Sequence, residues 1–342
     1  MNAAIGSLAL SLLLLVTTYV VRVASEHRAR LDQALTEKWT PVFLGIATES
    51  PGPVARRDAR AVLALWNRVR AAMRGPATEP LVERARNADL HDVALRMLTS
   101  RRPDDRLHAV AAVGTMGLAS AVPTLERYAH RGTSITLRSE AARSLLRLRP
   151  RHGLEVMLDL LRSQSDWHPA LIASVLDEAD PESASLGLVR EAKAAAKRGQ
   201  PDVAGRLLRV LPAIQSHACL PSVRALLADT AEPEIQASCL LVLAAFADGQ
   251  DRTIVRRFLA SDVWYVRTHA AAALGFVGSA DDEPVLTELL QDPEWWVRQR
   301  AAEALARIAE LDPNEMAIVF EHHPEVGRFS GRAYSPVAEV LL

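Results

Sequence analysis

The sequence has few of the residues on which several classes of protein depend. Only two of its 342 residues are cysteines, and aromatic residues make up 5%. Cys219 and Cys239 fall on separate predicted helices among apolar neighbours, which is typical of buried free thiols rather than of a disulfide scaffold. The sequence also has neither a phosphate-cradling glycine loop nor a nucleophile elbow. The common nucleotide-binding and serine-hydrolase motifs are therefore missing.

The net charge of the chain is close to zero, but positive and negative residues are unevenly distributed along it. The net charge is −1, whereas residues 22–107 carry +5, residues 108–230 carry +3 and residues 231–342 carry −9. Nucleic-acid binding needs clustered cations, and here the basic residues are diluted by carboxylates. We therefore expect no nucleic acid among the partners.

What the sequence does contain is a repeat, which is clearest in the stretch from Asp292 to Ala309. At an offset of 31 residues several positions recur, pairing Val266 with Val297, Arg267 with Arg298, Ala270 with Ala301 and Leu274 with Leu305. A recurrence of this length indicates stacked copies of one helical unit. Val297, Ala301, Ala304, Leu305 and Ile308 follow helical spacing and predict one buried stripe. Asp292-Pro293 reads as a helix N-cap followed by proline at the first helical position.

This pattern resembles the HEAT repeat, in particular the subtype also found in phycobilin-lyase-like proteins. The resemblance implies an all-α fold, an α–α superhelix of the HEAT/armadillo type, in which outer helices alternate with inner helices that line a concave face. Inner-helix copies recur near Arg106, Arg138, Trp167, Val203, Ile235, Val266 and Val297. We predict about seven repeats over residues 104–311, followed by a tail over residues 312–342.

The one long hydrophobic run lies at the N-terminus. Residues 3–21 carry no charge, and 19 apolar-rich residues are enough to cross a bilayer core of ~30 Å as a helix. No Lys or Arg precedes the run, whereas Arg22, Arg28 and Arg30 follow it. The positive-inside rule then predicts a single-pass anchor over residues 1–22, with the N-terminus outside and the rest in the cytoplasm of a bacterium. A cleaved signal peptide is the alternative, but the basic n-region is absent.

Residues 23–103 are predicted to form a helical region that caps the first repeat. Its first helix is expected over residues 24–39 and to end at Thr40-Pro41. An amphipathic helix follows with Val62, Leu65, Trp66, Val69 and Met73 on one face, and two shorter helices are expected at about residues 80–88 and 90–99.

Catalytic and metal-binding candidates are weak. Aspartates and arginines recur at the turns, such as Asp262 with Arg267 and Asp292 with Arg298, and repetition favours a structural role because a catalytic constellation breaks symmetry. Some HEAT-like enzymes hold iron with His-Glu dipeptides, and no such dipeptide occurs. His322-His323 with Glu321 and Glu325 forms a ligand-like cluster in the tail but lacks a third well-placed partner. We predict no catalytic, cofactor or metal site.

Aromatic residues at the turns are the better candidates for a binding site. Four of the six tryptophans follow shortly after an aspartate at the start of a predicted inner helix, and a tyrosine joins them. Trp and Tyr are frequent anchors of protein interfaces. The candidate partner-binding residues are Trp167, Trp264, Tyr265, Trp295 and Trp296. The alternative is that these rings fill the core at the level of the turns.

A narrower resemblance concerns the segments LDQALTEKWTPVFL at 31–44, LALW at 63–66 and SDWHP at 165–169. Together with the anchor they resemble bacterial membrane-anchored HEAT proteins that accompany exopolysaccharide glycosyltransferases. The sequence therefore predicts a non-enzymatic scaffold that binds a protein, such as a membrane glycosyltransferase, at the cytoplasmic face of the inner membrane. The alternative is a HEAT-like lyase or modifying enzyme with titratable residues converging in a concave pocket.

Overall fold

A computed structural model describes residue 30 and residues 32–47, 52–73, 78–163 and 167–309. Within these ranges the chain forms helices and turns and no strand. The chain divides after Leu148 into two compact units, each built from α-helices joined by short turns. The predicted all-helical class is thus confirmed over the described residues.

The first unit contains seven α-helices among its described residues. They are α1 (32–44), α2 (Ala59–Ala72), α3 (Thr78–Asn87), α4 (Leu90–Met97), α5 (Pro103–Thr115), α6 (Val122–Arg131) and α7 (Ile135–Leu148). Helix α2 buries Val62, Leu65 and Trp66 on the predicted face. The ranges of α3 and α4 agree within two residues with the two short helices expected at about 80–88 and 90–99.

Helix α1 corrects one prediction, because Thr40-Pro41 does not end it. The helix continues to residue 44, although a proline inside a helix costs about 3 kcal/mol. Trp39 and Phe43 flank the proline, are buried, and stack with ring centroids 5.7 Å apart. Phe43 in turn meets Trp66 of α2 edge-on at 5.6 Å. Each buried aromatic side chain contributes about 1.5–3 kcal/mol, which offsets the proline.

The second unit contains eleven helices within its described residues. They are α8 (Pro150–Ser163), α9 (Pro169–Leu176), α10 (Pro181–Lys197), α11 (Pro201–Leu208), α12 (Leu211–Ile214), α13 (Leu220–Asp229), α14 (Pro233–Phe246), α15 (Arg252–Arg256), α16 (Trp264–Val277), α17 (Glu283–Leu289) and α18 (Trp295–Ile308).

The last three helix pairs of this unit repeat one arrangement. An outer helix (α13, α15 or α17) is followed by an inner helix (α14, α16 or α18), and α16 packs between α14 and α18. Val297, Ala301 and Ala304 of the predicted stripe are buried, while Leu305 and Ile308 are only partly covered. Small side chains therefore let neighbouring inner helices approach closely.

A glycine on α16 shows how close this approach is. A Cβ atom at Gly275 would lie 2.8 Å from the Cα of Ala304 on α18, which is shorter than a normal contact. Gly114, the corresponding position of the first unit, behaves in the same way, since its Cβ would lie 2.6 Å from the Cβ of Ser144. In both units a glycine therefore marks the crossing point of adjacent inner helices.

The structure does not describe the two ends of the chain, for which an anchor and a tail were predicted. The anchor at residues 3–21 and the tail at 312–342, with His322 and His323, lie outside the described residues. Among the helices that the structure does describe, none combines the length and apolar character needed to span a bilayer.

Candidate protein-binding edge

In four repeats, a side chain in the first turns of the inner helix binds the turn that precedes it. In three repeats an arginine donates from Nη1 to the carbonyl oxygen six residues before it. The distances are 2.9 Å from Arg106 to Ser100, 2.7 Å from Arg267 to Ser261 and 2.8 Å from Arg298 to Asp292. Gln236 makes the equivalent bond to Thr230 at 3.0 Å. These side chains bind backbone carbonyls that the turn leaves unpaired, which is a structural role.

One of these arginines also joins two repeats. Arg267 donates from Nε to Asp292 Oδ2 at 2.7 Å and from Nη2 to Oδ1 at 3.0 Å, and both side chains are largely buried. Burial alone would raise the pKa of Asp292, but hydrogen bonds from Arg267 and from the Glu294 amide bring that pKa below its ordinary value. The carboxylate is therefore held ionised between the turns that precede α16 and α18.

Asp292 is not the N-cap of α18, contrary to the prediction from the sequence. Helix α18 starts at Trp295, and Asp292 Oδ1 instead accepts from the amide of Glu294 at 2.9 Å. Ser261 makes the equivalent turn before α16 by accepting from the amide of Val263 at 3.3 Å. A side chain that binds the backbone two residues on favours a turn over a helix. After these turns, α16 begins with Trp264-Tyr265 and α18 with Trp295-Trp296.

A second set of charged pairs ties the outer helices together. Asp251 and Asp282, each at the start of an outer helix, are fully buried. Asp251 accepts from Arg224 at 2.5 Å, and Asp282 accepts from Arg252 and Arg256 at 2.7 Å each. Recurrence in two successive repeats and complete pairing with arginine indicate a structural role for these carboxylates as well.

The aromatic pairs themselves are partly exposed. The exposed fraction is 40% for Trp264 and 49% for Trp296, while Tyr265 and Trp295 are half-buried. Each pair is edge-on, with ring centroids 5.7 Å apart for Trp264 and Tyr265 and 4.6 Å for Trp295 and Trp296. The exposed ring is the first of its pair on α16 and the second on α18. In each pair, one ring is thus half-buried and the ring next to it is exposed to solvent.

Trp167 departs from the prediction. Its exposed fraction is 1%, so it belongs to the core of the second unit rather than to an exposed row. The core-packing alternative therefore describes Trp167, and the candidate set is reduced to Trp264, Tyr265, Trp295 and Trp296.

Two carboxylates beside these rings were not anticipated from the sequence. Asp262 and Glu294 are exposed and lie two residues before Trp264 and Trp296 respectively. Neither forms a close ion pair with a described residue, although the charge of both helps to raise the pKa of Arg267. We call the four aromatic residues with Asp262 and Glu294 the aromatic edge. The signal in the sequence is an acidic residue one or two positions before each aromatic pair.

The described residues offer little for catalysis. They contain no group of three or more His, Cys, Asp or Glu side chains that could hold a metal ion. Cys219 and Cys239 are free and buried, as predicted, and burial raises their thiol pKa to about 11 and about 12. Neither thiol is a nucleophile at neutral pH because the reactive form is the thiolate.

The paired helices and recurring turns define a helical-repeat protein. The family model for HEAT repeats matches residues 254–321, which include α16 and α18. No curated protein matches the chain. The protein is similar in fold to an engineered protein of the Northeast Structural Genomics Consortium, with 18% identity, a TM-score of 0.30, and 88% of this chain and 95% of the other covered.

Two further solved structures are similar at the same level. Human deoxyhypusine hydroxylase in complex with glycerol has 15% identity and a TM-score of 0.29, with 82% of this chain and 98% of the other covered. A second engineered protein of the same consortium has 18% identity and a TM-score of 0.26, with 80% and 97% covered.

Proposed function

We propose that the protein is a non-enzymatic scaffold that binds a basic segment of a partner protein at the aromatic edge. The observation that carries this proposal is the pair of exposed tryptophans, Trp264 and Trp296, on adjacent inner helices, each two residues after an exposed carboxylate. HEAT repeats over residues 254–321 fit such a role, because stacked helix pairs leave an extended surface free for recognition.

The chemistry of the edge specifies the kind of partner. A lysine or arginine side chain gains about 0.5–1 kcal/mol over the face of an exposed tryptophan and more where water is excluded. Asp262 and Glu294 add opposite charge at the same place, and residues 231–342 carry a net charge of −9. A cationic segment is thus attracted from a distance and held at the rings, whereas an acidic segment is repelled.

Paired variants test the scaffold proposal. We expect the double variant Trp264→Ala and Trp296→Ala to lose crosslinking to its partner in the native membrane by tenfold or more, since such anchors contribute about 2 kcal/mol or more each. Leu186→Ala is the matched control, because Leu186 is 42% exposed in the same unit on α10. Equal loss in the control, or no loss in the double variant, would contradict the proposal.

The membrane anchor is a further part of the proposal. Residues 3–21 are expected to hold the protein in the bacterial inner membrane with both helical units in the cytoplasm, on the grounds of their length and the arginines that follow. A reporter active only in the cytoplasm, fused after Leu342, should give a signal. Signal only from an externally active reporter would reverse the orientation and with it the choice of partner.

The resemblance to glycosyltransferase-associated proteins suggests a particular partner. We propose an integral-membrane glycosyltransferase of exopolysaccharide synthesis, which the protein would assemble or regulate. Support comes from the sequence segments alone. Deletion of the gene should lower exopolysaccharide secretion or the amount of the synthase, and unchanged levels of both would reject this partner while leaving the binding edge open to another.

A further inference from the structure

The first unit contains a small charged cavity with no role in the proposed scaffold function. Its volume is about 260 Å³, and it lies between the start of α1, the segment leading into α2, and the turn between α4 and α5. At ~30 Å³ per water molecule this space holds about nine waters, so it suits a ligand of roughly ten heavy atoms. Four arginines and three aspartates line it, with only Leu35, Ala61 and Met97 as apolar contacts.

The arginines offer an anion site. Arg60 is engaged with Asp104 at 3.6 Å and Arg57 with Asp58 at 3.6 Å. Arg56 and Arg102, in contrast, have no side-chain hydrogen bond or ion pair to any residue that the structure describes. Both guanidinium groups line one cavity without a described partner, and arginine binds phosphate through two parallel N–H donors.

An aspartate of the same cavity requires a donor. Asp105 Oδ2 accepts from the Ser100 hydroxyl at 2.9 Å, whereas Oδ1 is buried and has no hydrogen-bond partner. A buried carboxylate oxygen without a donor costs about 1–3 kcal/mol or more. Asp32, exposed on α1, also lines the cavity, and its carboxylate makes no hydrogen bond or ion pair to a described residue. The cavity therefore places carboxylate acceptors and guanidinium groups that lack described partners in one lining.

From this juxtaposition we infer that the cavity binds a phosphoethanolamine group, with its phosphate on Arg56 and Arg102 and its ammonium on Asp105. The ammonium brings three N–H donors and a positive charge and can satisfy the buried Oδ1, whereas inorganic phosphate offers that oxygen only an O–H group on an anion. The group occurs both as a lipid headgroup and as a free small molecule. The expected anchor at residues 3–21 ends about ten residues before α1, which makes the headgroup of a membrane lipid a possible source in addition to the free compound.

Calorimetry on the full chain, held in phosphatidylcholine nanodiscs at low salt, tests the inference. Soluble O-phosphoethanolamine should bind saturably and about tenfold more tightly than inorganic phosphate or phosphocholine, since phosphocholine keeps the charge but lacks N–H donors. Absence of saturable binding up to about 10 mM would overturn the site. Equal affinity for phosphocholine would overturn the role of Asp105 without any substitution that could affect folding.

Variants then locate the site. The double variant Arg56→Gln and Arg102→Gln should weaken binding about tenfold or more, and Asp105→Asn should remove the preference over phosphocholine. Arg131→Gln is the matched control, because Arg131 is exposed on α6, away from the cavity lining. A loss as large in this control as in the double variant would overturn the site in favour of diffuse charge attraction.

The source of the group is decided by a change of lipid. In nanodiscs that contain phosphatidylethanolamine, a lipid ligand already fills the cavity, so the soluble compound should no longer bind. Unchanged binding in those nanodiscs would assign the site to the free compound. Neither result depends on the aromatic edge, which lies in the other unit.

Discussion

At the scale of single residues, the central contact is the bidentate pair of Arg267 and Asp292. It joins the turn before α16 to the turn before α18, the two turns from which the aromatic pairs of the edge begin. The same Asp292 accepts from Glu294 and, through its carbonyl, from Arg298. One aspartate thus orders the backbone that presents both exposed tryptophans.

Removal of this carboxylate should therefore be costly. We expect Asp292→Ala to lower the free energy of unfolding by about 3–5 kcal/mol, because it leaves Arg267 largely buried without its counter-charge. Asp262→Ala, whose exposed carboxylate has no ion pair to a described residue, should change stability by less than about 0.5 kcal/mol. Chemical denaturation followed by circular dichroism measures both, and equal effects would show that the pair contributes no more than a surface charge.

The same pair predicts a dependence on pH. The pKa of Asp292 is lower in the folded protein than its ordinary value of 3.8. Its contribution is therefore fully present above pH of about 4 and is lost as the pH falls through the folded pKa. The stability difference between the wild type and Asp292→Asn should be constant from about pH 5 to 7 and shrink below pH of about 4. A difference that grows on acidification would contradict this sign.

At the scale of helices, the spacing between inner helices is set by small residues. Gly275 faces the Cα of Ala304 so closely that a methyl group has no room, and backbone on both sides limits relaxation. The alanines along α16 and α18 extend this close contact on both sides of the glycine. The aromatic edge therefore depends on helix packing one to three turns away from it.

A methyl group added at this crossing should separate the helices. We expect Gly275→Ala to lower the melting temperature through overpacking of about 1–3 kcal/mol, even though alanine is the better helix former. Gly249→Ala, where a Cβ would meet nothing within 4 Å, is the control and should be neutral within about 0.5 kcal/mol. Stabilisation by Gly275→Ala would mean that helix propensity outweighs packing here.

Much of the helical pattern could be predicted because the repeat carries it. Positions such as Val266, Ala270 and Leu274 recur at helical spacing, and the structure buries them as expected. The start of α18 could not be predicted, because Asp292 binds the amide of Glu294 in a turn and receives Arg267 from the preceding repeat. That contact spans 25 residues and leaves no local signal in the sequence.

The candidate site was predictable only in part, for a similar reason. Periodicity places an aromatic residue at the start of an inner helix but does not say whether a neighbouring helix covers it. Trp167 is buried, whereas Trp264 is 40% exposed at an apparently equivalent position. Exposure depends on packing in three dimensions, and so does the absence of an ion pair at Asp262 and Glu294.

At the scale of the whole molecule, two chemically different surfaces carry the two proposals. The cavity of the first unit is lined by arginine and aspartate and is proposed to take a small charged group. The aromatic edge of the second unit combines aromatic rings with carboxylates and is proposed to bind a cationic segment. Helical repeats allow this division because each copy keeps its own core while its surface residues change.

The most direct test of the account is site-specific photocrosslinking in living cells. A photoreactive phenylalanine analogue placed at position 264 or 296 should crosslink one partner, and mass spectrometry should find a lysine- or arginine-containing peptide at the crosslink. The same group at position 186, an exposed apolar site on α10, should not crosslink that partner. Crosslinking from position 186 alone, or an acidic partner peptide at positions 264 and 296, would contradict the proposed edge.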